Sequence, residues 1–203
     1  MRKSLFNAES GFWRVLGVFG EILVLSLLWC LCSLPVVTLG GATAALYDTV
    51  VHSLRRREED IFTRYWRTLK AEVLPAIPGS LVWGALTDGG FFLYRSYTDA
   101  SSASKSAFVL AVFLLALWVM LLGIACWVAP VRSRFTLSPL ATSVESVKLA
   151  LSHPLRTAAL GLITGAAVWL SYCYILPIMV LPALTALAWS RFLESVFRKY
   201  MDK

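Results

Sequence analysis

Long apolar stretches alternate along the chain with shorter polar ones. The apolar stretches cover residues 12–34, 36–54, 73–94, 107–131, 157–174 and 177–193. A helix needs roughly 20 mostly apolar residues to cross the hydrocarbon core of a bilayer, and each stretch is close to that length. The pattern therefore predicts an all-α fold, a polytopic bundle of six transmembrane helices that residues 1–203 form as a single domain.

The second stretch is the least apolar of the six, because residues such as Asp48 and His52 interrupt it. In the alternative arrangement this stretch is re-entrant or interfacial, which leaves five spans. The positive-inside rule compares the two arrangements. Six spans with both termini in the cytoplasm leave only Arg95 and Lys105 outside. Five spans would place the basic N-terminus outside as well, so six spans are the better prediction.

The composition indicates that lipid surrounds the predicted helices. Of all residues 58% are hydrophobic and 15% are charged, and the mean hydropathy is +0.70, whereas a soluble domain carries about 25% charged residues. A net charge of +7 would suggest nucleic acid as the partner of a soluble protein. Here the basic residues flank the apolar stretches, where they orient helices and contact headgroups. We therefore expect no nucleic-acid partner.

Two Leu-Pro pairs, at residues 34–35 and 176–177, separate neighbouring apolar stretches. Proline is well tolerated in the first turn of a helix, so Pro35 and Pro177 are each expected to turn a helical hairpin. Small residues follow the first corner. Gly40, Gly41 and Thr43 should allow another helix to approach closely.

Two connecting stretches are amphipathic. In residues 58–73, apolar side chains recur at helical spacing among basic ones. In the second stretch, Ser138 can cap a helix, Pro139 fits its first turn, and an apolar face follows. That face consists of Leu140, Val144, Val147 and Leu151. We expect two cytoplasmic amphipathic helices that either anchor the bundle at the interface or dock a partner.

The candidate docking residues lie around the first of these stretches. They are Arg57, Glu58, Glu59, Tyr65 and Trp66.

Four ionisable residues, Glu21, Asp48, His52 and Asp88, fall within the predicted spans. Such a residue costs roughly 2.5–3.5 kcal/mol at the centre of a span on insertion scales, which makes it a candidate site residue. Glu21 and Asp48 are expected at similar depth on adjacent helices, and His52 lies one turn from Asp48. These residues either bind a proton, cation or polar solute, or pack inside the bundle with Asp48 paired to His52. Asp88 precedes two glycines and is expected to help end its helix.

The chain contains no Walker A, Gly-x-Ser-x-Gly or His-Glu-x-x-His motif. Its four cysteines lie within apolar stretches, without histidine or aspartate at metal-site spacing. We therefore expect no enzymatic activity, no catalytic residue, no metal and no cofactor.

Part of the chain resembles the YesL-like family, bacterial membrane proteins of undefined function. The resemblance rests on GFWR at 11–14, LLWCLCSLPVVTLG at 27–40, ATAALY at 42–47 and REE at 57–59. Two positions depart from the family pattern. Gly41 stands where proline is common, which should loosen that corner, and Ser26 stands where asparagine is frequent.

The resemblance implies a multi-pass protein of the bacterial cell membrane. Members of the family are often encoded beside carbohydrate ABC importers and polysaccharide-degrading enzymes. This implies an accessory role in carbohydrate uptake, with ABC transporter subunits or a second copy of the chain as partners. The alternative is a small secondary transporter or channel that uses Glu21, Asp48 and His52, and it predicts a polar cavity bordered by these residues.

Overall fold

The structure is a computed structural model that describes residues 11–58, 60–100, 105–135, 137–174 and 176–201. In these residues the chain is all-α, with seven α-helices and no strand. The helices are α1 (Gly11–Ser33), α2 (Leu39–Thr49), α3 (Ile61–Ala100), α4 (Lys105–Arg134), α5 (Pro139–Ser152), α6 (Pro154–Cys173) and α7 (Leu181–Met201).

Each Leu-Pro pair lies at a short 3-10 turn. The pair at 34–35 directly precedes Val36–Thr38, and the pair at 176–177 begins Leu176–Met179. In the first turn the Thr38 amide donates to the carbonyl of Pro35 at 2.9 Å, and in the second the Val180 amide donates to that of Pro177 at 3.0 Å. Proline suits this position because its missing N–H is not needed there. The Cys30 thiol lies 3.6 Å from the carbonyl oxygen of Ile178, so both corners are at the same end of the bundle.

Helix α2 continues into a π-helical turn, Val50–Arg55, and the chain then bends at Arg57, whose φ is 57°. Together α2 and the π-helical turn are about 25 Å long. Near the corner, the Trp29 indole donates to the hydroxyl of Thr43 at 3.2 Å. Far from the corner, Arg57 bonds Glu21. The segment therefore runs back along α1.

Helix α3 corrects two predictions. The amphipathic stretch 58–73 does not form a helix of its own, because the helix that begins at Ile61 continues unbroken through the next apolar stretch to Ala100. Asp88 does not end this helix. Two glycines cost about 1 kcal/mol each in a helix interior, which is too little to stop a helix that Trp118 of α4 contacts on both sides of them, at Thr87 and Phe91.

The small residues of α2 lie against α3. A Cβ atom added to Gly41 would lie 2.8 Å from the Cα atom of Val73, and one added to Gly40 would lie 2.0 Å from the hydroxyl of Ser80. Gly41 therefore permits a close backbone approach. The expectation that it loosens the corner does not describe its role, because the contact it makes is with α3.

Two apolar clusters form the core. The first joins α1, α2, α3 and α7 around Leu25, Leu46 and Tyr65. The second joins α2 and α7 to α4, α5 and α6 around Trp127 and Phe197. Because α2 and α7 contribute to both clusters, they occupy the middle of the bundle.

Helix α5 has the predicted start, and its apolar face is exposed. The Ser138 hydroxyl accepts from the Ala141 amide at 3.4 Å, with Pro139 in the first turn. Thr142, Ser146 and Ala150 are buried against the bundle. The apolar residues Leu140 and Leu151 face outward, with exposures of 82% and 64%.

Two helical segments of the described chain, Val15–Ser33 and Lys105–Arg134, are long and apolar enough to cross a membrane. Length and composition alone would also fit the core helix of a soluble protein or a signal sequence. In a core helix most residues are buried, whereas here only 17% and 11% of the most apolar windows are buried.

Candidate functional site

Asp48 lies at the centre of a buried polar cluster between α2 and α3. Its carboxylate accepts from Arg64, with Nε at 2.5 Å from Oδ2 and Nη2 at 2.9 Å from Oδ1. The Thr68 hydroxyl donates to Oδ2 at 2.8 Å, and the Nδ1 atom of His52 lies 3.0 Å from Oδ1. Asp48 is only 4% exposed, so these donors replace the water that its charge would otherwise require.

Glu21 does not join this cluster. Its two carboxylate oxygens accept from Nη1 of Arg57, at 2.5 and 2.7 Å. Arg57 follows the π-helical turn and approaches α1 from the end of α2. The structure thus pairs Glu21 and Asp48 with different arginines, at two separate contacts.

Two further acids are paired between helices. Glu72 of α3 accepts from Nε of Arg132 on α4. Glu194 of α7 accepts from Arg134 of α4, and Nη2 of Arg56 lies 3.4 Å from its Oε2 atom. These contacts continue the series that Asp48 begins.

We call this set of ion pairs the ionic belt. It consists of Glu21, Asp48, Arg56, Arg57, Arg64, Glu72, Arg132, Arg134 and Glu194. The pairs connect α2 to α3, α3 to α4, α4 to α7, and α7 back to the end of α2. Acid and base are thus matched between the helices. The pairs of Glu21 and Glu194 lie at the end of the bundle opposite the Leu-Pro corners, which we call the charged end. Glu72 lies nearer the corners, because its backbone is against Gly41 in the first turn of α2.

A central cavity of about 440 Å³ lies beside the belt. All seven helices contribute to its wall, which is mostly apolar and includes Trp29, Trp83 and Trp189. Among the described residues of this wall, the charged one is Arg132. The wall does not include Glu21, Asp48 or His52, which the transporter alternative expects around a cavity.

A second, smaller cavity of about 370 Å³ lies at the charged end. Glu21, Arg57 and Asp60 border it. Both acids already have partners, because Asp60 caps α3 by accepting from the amides of Phe62 and Thr63 at 3.1 and 3.3 Å.

Comparison with known proteins gives one finding. Residues 22–97 match the model of a family described as a protein of unknown function, DUF624. We call these residues the DUF624 segment. The family includes the YesL-like proteins, so the resemblance is confirmed. The chain matches no curated protein and no solved structure.

The DUF624 segment covers about half of α1, most of α3 and all of α2. It contains the whole Asp48 cluster and the glycines that bring α3 against α2. The partners on α4 and α7 lie outside it, so the DUF624 segment supplies only part of the ionic belt.

Asp88 is separate from the other predicted intramembrane residues. It is exposed on α3, about 30 Å further along the helix than Thr68, which bonds Asp48. A site that includes both Asp88 and Asp48 is therefore excluded by distance.

The candidate docking residues do not form one surface. Tyr65 is wholly buried in the first core cluster, which corrects its prediction as a docking residue. Burial also raises the pKa of its hydroxyl. Trp66 and Glu58 are about half exposed, and Arg57 is bound to Glu21. Glu59 lies outside the described residues.

Most partners in the ionic belt were not predicted. Arg64, Thr68 and Glu72 recur every four residues and so form a polar stripe on one face of α3. The amphipathic interpretation of residues 58–73 places the basic residues of this stretch at the membrane interface and assigns them no carboxylate partner. The regular spacing of Arg64, Thr68 and Glu72 is a signal of a polar helix face that the sequence offers. Arg134 and Glu194 are 60 residues apart, so no local pattern indicates their pairing.

Proposed function

We propose that this protein is a non-enzymatic, six-span membrane protein with both termini in the cytoplasm. Support comes from the course of α2, which runs back along α1 from the Pro35 corner instead of lying flat. The ionic belt would then lie on the cytoplasmic side, as the positive-inside rule requires.

Topology can be tested with reporters and cysteine labelling. In a variant without its native cysteines, Lys70→Cys should react with a membrane-impermeant maleimide only after permeabilisation, and Lys105→Cys should react in intact cells. A reporter fused to the N-terminus should be active on the cytoplasmic side. An N-terminus on the outer side would instead support five spans.

We further propose an accessory role, in which the protein binds another membrane protein through α5. The observation that carries this proposal is the outward direction of the apolar residues Leu140, Val144 and Leu151, next to the charged end of the bundle. Exposed apolar patches rimmed by polar residues are typical of interaction surfaces. The family resemblance suggests a subunit of a carbohydrate ABC importer as the partner.

Photo-crosslinking tests this role. A photoreactive residue at Val144 should crosslink in cells to an importer subunit, identified by mass spectrometry. The matched control is Leu162, an equally exposed apolar residue on α6. Crosslinks from Val144 to lipid alone would contradict the accessory role. Crosslinks to a second copy of the chain would show that α5 mediates self-association and does not bind an importer.

The alternative role, a small transporter or channel, depends on acids that are free to exchange a proton or cation. Its support is weaker because Glu21 and Asp48 each have an arginine partner. Transport in liposomes that disappears in the Glu21→Gln, Asp48→Asn variant, with its fold intact, would favour this alternative over the accessory role.

A further inference from the structure

The central cavity is long and narrow. Its wall on α3 extends from Ala76 to Thr87, and its wall on α4 from Leu122 to Arg132, so each wall is about 15 Å long. A volume of about 440 Å³ spread over that length leaves a mean cross-section of about 30 Å². This shape suits an extended chain better than a compact ring.

Of the eight hydroxyl groups that the described residues place in the wall, all but that of Ser171 donate to a backbone carbonyl of their own helix, Thr185 to that of Pro182 at 2.8 Å. The other six donate to the carbonyl oxygen four residues earlier, and they are Thr43, Ser80, Thr87, Thr142, Ser143 and Thr164.

The three indoles in the wall also have partners. Trp29 donates to Thr43 at 3.2 Å, Trp83 donates to Ser143 at 3.3 Å, and Trp189 donates to Thr164 at 3.2 Å. A sugar entering the cavity would lose its hydrogen bonds to water without equivalent replacements. A hydrocarbon would lose none.

One end of the cavity carries the guanidinium group of Arg132. Arg132 binds Glu72 through Nε, and in the described part of the chain no other bond is assigned to its two Nη atoms. A guanidinium group offers these donors as a planar fork that matches a carboxylate or a phosphate. The cavity therefore combines an apolar length with an anion-binding end.

We propose that the central cavity binds one hydrocarbon chain of an anionic lipid, with the carboxylate or phosphate at Arg132. The cavity volume falls within the usual range of ligand pockets. The lipid can be a fatty acid or a phospholipid, since both present the same chemistry. This proposal goes beyond the accessory role and does not depend on it.

Tryptophan quenching tests the proposal on the full chain. The protein in nanodiscs of unbrominated phosphatidylcholine is titrated with dibrominated stearate or dibrominated phosphatidylglycerol, since bromine quenches the nearby indoles of the cavity. We expect saturable quenching, with one ligand bound per chain. An excess of unbrominated ligand should also restore the tryptophan fluorescence, whereas a sugar should not. Saturation by stearate alone identifies a fatty acid, and saturation by phosphatidylglycerol alone identifies a phospholipid.

Variants that fill the cavity provide the control. Gly79 and Gly84 border it and have no atom within 4 Å of an added Cβ. Gly79→Phe and Gly84→Phe should therefore weaken binding at least tenfold. Gly89 on the same helix is equally open but does not line the cavity, so Gly89→Phe should bind as the wild type does.

Two results would overturn the proposal. One is the absence of saturable quenching by either lipid, and the other is unchanged binding in both filled variants. If a brominated fatty alcohol binds as tightly as stearate does, Arg132 does not bind the anionic group of the lipid, and that part of the proposal is wrong. If the filled variants do not fold, native mass spectrometry of the wild type still decides, because one anionic lipid should remain bound to each chain after delipidation.

Discussion

At the scale of single residues, the main finding is that charge inside the bundle is matched. Sequence spacing predicted that Asp48 pairs with His52, since the two lie one helical turn apart. The stronger partner is Arg64, which binds both carboxylate oxygens from the next helix. A carboxylate held in this way stabilises the packing of α2 on α3, which favours the structural interpretation of this acid.

We predict that Asp48→Asn destabilises the protein by about 3–5 kcal/mol, because it removes the buried carboxylate charge that Nε and Nη2 of Arg64 bind. The measurement is the free energy of unfolding in mixed micelles. Asp88→Asn, at an exposed position of α3, is the matched control and should have almost no effect. Adding Arg64→Gln to Asp48→Asn should recover part of the loss, and an unaffected single variant would contradict the assignment.

Tyr65 and Trp66 provide a second contrast, between neighbouring aromatic residues. Tyr65 is fully buried and Trp66 is 46% exposed. Tyr65→Ala should lower the free energy of unfolding by about 3–5 kcal/mol, because it opens a cavity in the first core cluster. Trp66→Ala should cost under half as much. Equal effects on stability would show that Tyr65 does not pack in the core.

At the scale of helices, glycine sets how closely neighbouring helices approach. A Cβ atom on Gly161 of α6 would lie 2.1 Å from the carbonyl oxygen of Val119 on α4, and one on Gly123 would lie 2.2 Å from that of Thr157. The contact between α4 and α6 therefore requires glycine on both helices. The small-residue strip of α2 makes a similar contact with α3.

We predict that Gly161→Ala destabilises the protein by about 1–3 kcal/mol, because the two backbones must move apart. Gly89→Ala is the control, since open space surrounds this position, and it should be neutral or stabilising by up to about 1 kcal/mol. Thermal unfolding of the detergent-solubilised variants measures both effects. An equal shift of both midpoints would disprove the close contact.

At the scale of the whole molecule, the ionic belt connects elements that are far apart in the chain. Glu194 of α7 receives Arg134 from α4, Arg56 from the end of α2, and the hydroxyl of Tyr47 at 3.4 Å. A single carboxylate thus joins three helices at the charged end.

We predict that Glu194→Gln loosens these three helices together, because Arg134 remains largely buried without its partner. Hydrogen exchange followed by mass spectrometry should show faster exchange at the ends of α2, α4 and α7. Glu145→Gln removes an exposed pair with Lys148, whose contribution is about 0–1 kcal/mol, and should leave exchange unchanged. Faster exchange in α7 alone would mean that the belt does not couple the helices.

The sequence by itself determined the helical class, the corner prolines, and the cap and first turn of α5. These features depend on composition or on neighbours within a few residues, and such signals are local. It also identified Asp48 and Glu21 as unusual, because a charge in an apolar stretch is conspicuous whatever its partner.

Only the tertiary structure decided which groups meet. It pairs Asp48 with Arg64, Glu21 with Arg57 and Glu194 with Arg134, and it leaves the apolar face of α5 exposed. It also merged the amphipathic stretch with α3 and buried Tyr65. The physical reason is that periodicity shows that a helix has two faces, while the neighbouring helices that fill the remaining space determine which face is covered. The same packing leaves the central cavity, which no local pattern in the sequence encodes.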